Sequence, residues 1–228
     1  MNIQGFQKLT LLDFPGKVAC TLFTGGCNLR CPFCHNSSLV LEPTTYSDAT
    51  NDVLDYLSKR KGILDGVCIT GGEPLLQKDI AEFIKKIKDM GYAVKLDTNG
   101  SMPDRLKALL STGLVDYVAM DVKSSPEGYP LATGVELDIN KYKESVDILR
   151  QSGVDHEFRT TAVKGIHTSA DFHKIGQWLQ GCEHYYIQRF VDSGNLLDKG
   201  EAFDEDEMRD LLSIIKKYIP HAQLRGQN

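Results

Sequence analysis

Six times along the chain a short apolar, β-branched run is followed by a longer segment of helical period, and this alternation limits the fold more than any other feature. The strand candidates are residues 17–24, 66–70, 93–98, 115–122, 156–163 and 185–190. The helical candidates are residues 47–60, 78–90, 103–111, 140–151, 169–180 and 204–218. Alternation of this kind predicts a parallel α/β sheet with helices packed outside it. Six units fall short of the eight of a closed barrel, which leaves an open partial barrel or a doubly wound sheet. Ser47 and Ser169 are placed as N-caps, and Gly91, Gly113, Gly153 and Gly181 as C-terminal stops. With no Pro/Gly/Ser-rich linker and no repeat, the expectation is one domain over residues 1–228, made of an extension 1–16 and a core 17–219.

In such folds the active site gathers at the C-terminal ends of the strands, and the polar oddities of this chain fall there. Cys27, Cys31 and Cys34 form a C-x3-C-x2-C run followed by His35-Asn36. Three thiolates on one loop hold three irons of a [4Fe–4S] cube, whereas a closed cluster of this type takes four cysteines. The iron left open is a place for substrate or cofactor to coordinate, as in catalytic zinc sites. The competing readings are a zinc knuckle, for which His35 next to Cys34 is a poor fourth ligand, and a set of buried structural cysteines.

Three further motifs share that rim: Gly71-Gly72-Glu73-Pro74, Asp97-Thr98-Asn99-Gly100 and Asp121-Val122-Lys123. The glycines permit close backbone approach, and Glu73 offers a carboxylate to an ammonium group. Asp97 and Asp121 offer charge to a cation, and Lys123 to a carboxylate. Singly, each also reads as an ordinary βα turn or a structural ion-pair network.

The six cysteines, three of them clustered, argue against a disulfide framework and for a reducing compartment, read as the cytoplasm. No stretch approaches the ~20 apolar residues of a membrane span, and residues 1–16 lack a signal-peptide pattern. A formal charge of −5 without a dense Lys/Arg tract gives no support for a nucleic-acid partner. The acidic stretch 204–210 suits a helix N-terminus. Cys20 and Cys68, in apolar strand runs, read as small buried hydrophobes. Cys182, the histidines 156, 167, 173, 184 and 221, and Trp178 read as ordinary surface or core positions.

Taken in order, C-x3-C-x2-C, G-G-E-P, D-T-N-G and D-x-K resemble the radical S-adenosylmethionine superfamily. Asp13-Phe14-Pro15-Gly16 and Cys34-His35-Asn36 resemble its glycyl-radical-enzyme activating enzymes in particular, and the likeness covers residues 1–220. It implies a partial (β/α)6 TIM-type barrel, with a [4Fe–4S] cluster on Cys27, Cys31 and Cys34. The open iron would be chelated by S-adenosylmethionine, whose one-electron cleavage gives a 5′-deoxyadenosyl radical. The resemblance further implies Gly72 and Glu73 around the methionyl ammonium, Asp121 and Lys123 around its carboxylate, Phe33 against adenine with His35 close by, and Arg159 approaching the cofactor. Asp97, Thr98, Asp121 and Val122 resemble a monovalent-cation site of the pyruvate formate-lyase activating enzyme. That enzyme has a His after the last strand; here Ile187-Gln188-Arg189-Phe190-Val191 has none, so the contact from this strand stays open.

The implied substrate is the Cα–H of a glycine on a partner glycyl radical enzyme, anaerobic ribonucleotide reductase first, with flavodoxin or ferredoxin as electron donor. The chain carries no R-V-x-G-Y-like loop of its own, as befits an activator. The alternatives are activation of pyruvate formate-lyase or another glycyl radical enzyme, or a small-molecule enzyme resembling 7-carboxy-7-deazaguanine synthase.

Overall fold

The computed structural model describes residues 1–41, 49–192, 194, 196–198 and 200–226. Its strands are β1 (Ile3–Thr10), β2 (Ala19–Thr24), β3 (Gly66–Gly71), β4 (Ala93–Thr98), β5 (Tyr117–Asp121), β6 (Asp155–Ala162), β7 (Tyr185–Arg189) and β8 (Gln223–Arg225). They form one sheet in strictly sequential order, with β1 antiparallel to β2 and every later pair parallel. A doubly wound sheet reverses its strand order at a switch point; the sequential order is that of a barrel. Among the described residues β1 and β8 do not pair, so the barrel stays open along that side.

The six expected strands are β2 to β7. Two corrections follow at the edges. Residues 1–16 are not a plain extension, since β1 lies within them, and β8 lies beyond the expected core limit of residue 219. In β1 only Ile3 and Thr10 are buried, and two register shifts break its pairing, so no alternation marks it as a strand. β8 has three residues, too few for a periodic signal.

The inner strands are covered on both faces, which explains their continuous apolar runs. Leu22, Val67, Ile69, Leu96, Val118, Phe158 and Ile187 are fully buried. Against them pack α2 (Ala49–Ser58), α3 (Ile80–Asp89), α4 (Pro103–Leu110), α6 (Ile139–Ser152), α7 (Ser169–Trp178) and α8 (Glu205–Lys216), following α1 (Ser37–Leu41) and interrupted by the short α5 (Tyr129–Thr133). The expected stops Gly91, Gly113, Gly153 and Gly181 all have left-handed φ, between 67° and 94°. Ser169 is the first residue of α7 rather than its cap: Thr168 caps it, in a reciprocal pair with Asp171. Ser47 lies outside the described residues. Asp204 caps α8 in the same way with Glu207, and the acidic first turn favours that helix end.

Register brings the C-terminal strand ends together, with Thr24 beside Gly71, Asp121 beside Arg159 and Thr161 beside Gln188. The loop leaving β2 is tied to the end of β3 by backbone bonds, Gly72 N to Thr24 O and Glu73 N to Gly26 O, both 2.8 Å. A Cβ on Gly72 would sit 2.0 Å from the Gly26 carbonyl oxygen, so glycine is required by that approach.

Gly72→Ala is expected to cost about 1–3 kcal/mol by overpacking and to expose Cys27, Cys31 and Cys34 to thiol reagents. Gly91→Ala meets open space and is expected to lose about 1–2 kcal/mol from its left-handed φ alone, with no change in thiol reactivity. Denaturant unfolding with parallel thiol titration compares the two.

Candidate functional site

A cavity of about 480 Å³ opens at the C-terminal ends of β2 to β7. Cys27, Cys31, Phe33, Cys34, His35, Gly72, Asp121, Lys123 and Arg159 line it, together with Asn99 and Gln188. Glu73, Asp97 and Val122 do not.

The cysteine loop is held from below and from the side. Leu29, Cys31 and Phe33 form a small apolar cluster with Ala132, Val163 and Phe190, apart from the main core. The end of α5 accepts from the loop through Arg30 N to Thr133 O at 2.8 Å, and the Arg30 guanidinium folds back on the carbonyls of Cys27 and Leu29. All six cysteines are free thiols. Burial pushes the Cys31 thiol up to about 11 and raises that of Cys27, while Lys123 pulls both down. Such thiols ionise on binding a positive centre, and the donor set is all sulfur, which suits iron–sulfur chemistry. Among the described residues no three His, Cys, Asp or Glu side chains converge on a point for one metal ion. A cube asks for less, because each thiolate takes its own iron. The three cysteines therefore fit a cluster better than a zinc knuckle.

The expected carboxylate of Glu73 is not available to a ligand. It is fully buried, with Oε1 accepting from Thr98 Oγ1 at 2.9 Å and Leu75 N at 3.0 Å, and Oε2 accepting from Asn99 N at 2.7 Å. Burial pushes its carboxyl up to about 7 against the pull of these donors. Glu73 thus caps the turn after β3 and ties it to the end of β4; what the motif presents to the cavity is Gly71 and Gly72.

Along β4, β5 and β6 runs a chain of buried and half-buried charges. Arg159 Nη2 donates to Asp97 Oδ2 at 2.9 Å, and its Nε to Asp121 Oδ1 at 2.5 Å. Lys123 Nζ donates to Asp121 Oδ2 at 2.8 Å, and Lys95 Nζ to Asp97 Oδ1. Burial works to raise both carboxyls, but Arg159 with Lys95 holds Asp97 below the ordinary range, and Arg159 with Lys123 holds Asp121 lower still. Val122 is fully buried, and its carbonyl accepts from Thr160 Oγ1 at 2.7 Å. Asp97 thus sits within an ion-pair network behind the cavity, while the Asp121–Lys123 pair also forms cavity wall.

Phe33 packs edge-on to His167, with ring centres 6.1 Å apart, and His35 lies 5.5 Å from Phe190. Burial and Lys123 lower the His35 pKa.

Sequence reasoning missed several residues. Asn99 Nδ2 stands 3.8 Å from Cys27 Sγ and 3.0 Å from Asn28 Oδ1; the motif Asp97-Thr98-Asn99-Gly100 points to it, but the readings drawn from that motif rest on Asp97 and Thr98. Gln188 fills the wall position left open on β7. His167 is a core residue, as expected, and its bonds reach the site: Val163 N donates to its Nδ1 at 3.1 Å, so Nε2 carries the proton and donates to the Lys123 carbonyl at 2.8 Å. It fixes the backbone that presents Lys123, and no sequence spacing signals a contact across 44 residues.

The radical SAM superfamily model matches residues 21–179. By match and by site, the chain belongs to the radical SAM superfamily, whose members use a [4Fe–4S] cluster and S-adenosylmethionine, and it is an enzyme. A protein of Methanocaldococcus jannaschii named as a proposed glycyl-radical enzyme activating enzyme is 34% identical over 245 aligned residues, covering 99% of this chain and 96% of that protein. Within the superfamily, the chain belongs with these glycyl-radical-enzyme activating enzymes. A 7-carboxy-7-deazaguanine synthase of Thermoplasma acidophilum is 32% identical over 128 residues, 56% of each chain. Among solved structures, Streptococcus suis SuiB bound to S-adenosylmethionine superposes with a TM-score of 0.70 at 15% identity, which shows the shared fold. This chain is covered to 88% and spans about half, 48%, of SuiB.

Arg159→Met leaves the buried Asp97 and the partly exposed Asp121 without their shared cation and is expected to cost about 3 kcal/mol at neutral pH, the low end for breaking a buried pair. Both carboxyls have folded pKa values below their unfolded ones, so their contribution is present above the unfolded pKa and is lost as pH falls. The gap between wild type and variant should therefore shrink below about pH 4, as read by urea unfolding at a series of pH values.

Proposed function

We propose that this protein installs a glycyl radical on a partner enzyme, anaerobic ribonucleotide reductase first among candidates. Cys27, Cys31 and Cys34 hold the cluster. When bound, cluster and S-adenosylmethionine supply a one-electron cleavage that yields a 5′-deoxyadenosyl radical, the species that takes hydrogen from the partner's glycine. The chain's own residues position and enclose. The backbone at Gly71 and Gly72 would hold the methionyl end, and the Asp121–Lys123 pair its carboxylate. Phe33 and His35 would hold adenine, and Arg159 fixes Asp121. Glu73 acts through its buried bonds, keeping the turn in place.

The observation that carries this reading is the relationship over nearly the full length of both chains to an activating enzyme, whereas the match to a deazaguanine synthase spans 56% of each chain. One structural feature supports a protein substrate: among the described residues β1 and β8 do not pair, so the barrel is open on that side. An electron donor of flavodoxin or ferredoxin type and a cytoplasmic setting complete the reading, supported by the family's need of one electron and by six free thiols.

Cys31→Ala is expected to abolish the cluster's visible absorbance and S-adenosylmethionine cleavage, and Cys182→Ala to keep both; a cluster retained in Cys31→Ala would remove it as a ligand. For the partner, reduced protein is mixed anaerobically with S-adenosylmethionine and either anaerobic ribonucleotide reductase or pyruvate formate-lyase. A glycyl-radical doublet in the electron paramagnetic resonance spectrum of the reductase tube, with 5′-deoxyadenosine formed, is the expected result. A doublet in the other tube alone would reassign the partner.

A further inference from the structure

The four residues that resemble a monovalent-cation site do not fit an alkali ion, because the chain already satisfies each of them. Asp97 is taken by Lys95 and Arg159, and Asp121 by Arg159 and Lys123. Thr98 Oγ1 donates to Glu73 at 2.9 Å and accepts from Gly100 N at 3.2 Å. The Val122 carbonyl accepts from Thr160. Each of the four carboxylate oxygens of Asp97 and Asp121 is thus already bonded to a side-chain cation, so an added Na⁺ or K⁺ would have to displace one of them to coordinate there.

Lys95 makes the difference. It lies two residues before Asp97 on β4, and the period of a strand puts both side chains on one face. Its side chain is 2% exposed, and its Nζ stands on Asp97 Oδ1 and 3.8 Å from Cys68 Sγ. Cys68, fully buried and with its thiol kept protonated by that burial, supplies no competing charge. A lysine is seldom buried without a partner; this one has Asp97, and through Asp97 it reaches Arg159, Asp121 and the cavity wall at Lys123.

We propose that the Lys95 ammonium is the built-in cation of this site, so that S-adenosylmethionine binding here is independent of K⁺ and Na⁺. Lys95 is a positioning residue: it sets Asp97, Asp97 sets Arg159, and Arg159 sets the Asp121 carboxylate that lines the cavity. The inference rests on the cofactor cavity and not on which partner enzyme is activated, so the two stand or fall separately.

The test is equilibrium binding of S-adenosylmethionine to the cluster-loaded protein, in KCl, NaCl or choline chloride at one ionic strength. Wild type should bind equally in all three. Lys95→Ser, which vacates space beside Asp97, should bind about tenfold more weakly in choline and recover in KCl or NaCl, whereas Lys95→Arg should behave as wild type. A purely structural role for Lys95 would give a weakened variant that no alkali ion rescues, and that result overturns the proposal. So does wild-type binding that needs K⁺ or Na⁺, or a Lys95→Ser variant that binds normally in choline. Thermal unfolding of each variant identifies one that fails to fold, in which case the wild-type ion series decides alone.

Discussion

Arg159 binds the carboxylates of Asp97 and Asp121 at once, and the shape of the site depends on that double contact. The three residues come from β6, β4 and β5, so one guanidinium ties three neighbouring strands together beside the cavity. A planar group with donors in a fixed fork does this where a lysine would serve only as a point charge. Buried ion pairs are weak contributors to net stability because desolvation offsets most of their attraction. Their value here is geometric: Asp121 is held in one orientation, and Lys123, bonded to it and anchored through its carbonyl to His167, is presented to the cavity beside the cysteine loop.

The second constraint is the short connection between the ends of β2 and β3. Paired backbone bonds at Gly72 and Glu73, and the absence of a Cβ on Gly72, bring the turn after β3 against the loop that carries Cys27. From the other side, α5 and a separate apolar cluster clamp residues 29–33. Chemistry through a carbon radical needs water and stray hydrogens kept away, and the protein's share is that exclusion and positioning. A loop pinned on both flanks, over a cavity whose wall charges are already paired with one another, meets those needs.

Much of this was legible in the sequence, for a physical reason: signals that repeat along the chain survive reading in one dimension. Parallel strands buried on both faces leave apolar runs, helices leave their period, and glycine stops leave a residue, so β2 to β7 and Gly91, Gly113, Gly153 and Gly181 were found. The cysteine spacing was equally plain. What stayed hidden depends on long-range contacts or on direction. β1 is half-exposed and irregular, and β8 is three residues long. Glu73 was read as facing a ligand, whereas its carboxylate turns inward to Thr98 and Asn99, across 25 and 26 residues. Lys95 did leave a trace, as a lysine inside the apolar run Ala93-Val94-Lys95-Leu96 at the same parity as Asp97. That parity puts both side chains on one face of β4, but the contact between them is visible only in the structure.

The central claim is a cube on three cysteines with one iron open to S-adenosylmethionine. Its most direct test is anaerobic reconstitution, with iron and sulfide quantified and the electron paramagnetic resonance of the reduced protein recorded without and with S-adenosylmethionine. The account predicts about four irons and four sulfides per chain and a cluster signal that shifts when the cofactor is added. One zinc per chain, or a cluster signal that the cofactor leaves unchanged, would contradict it.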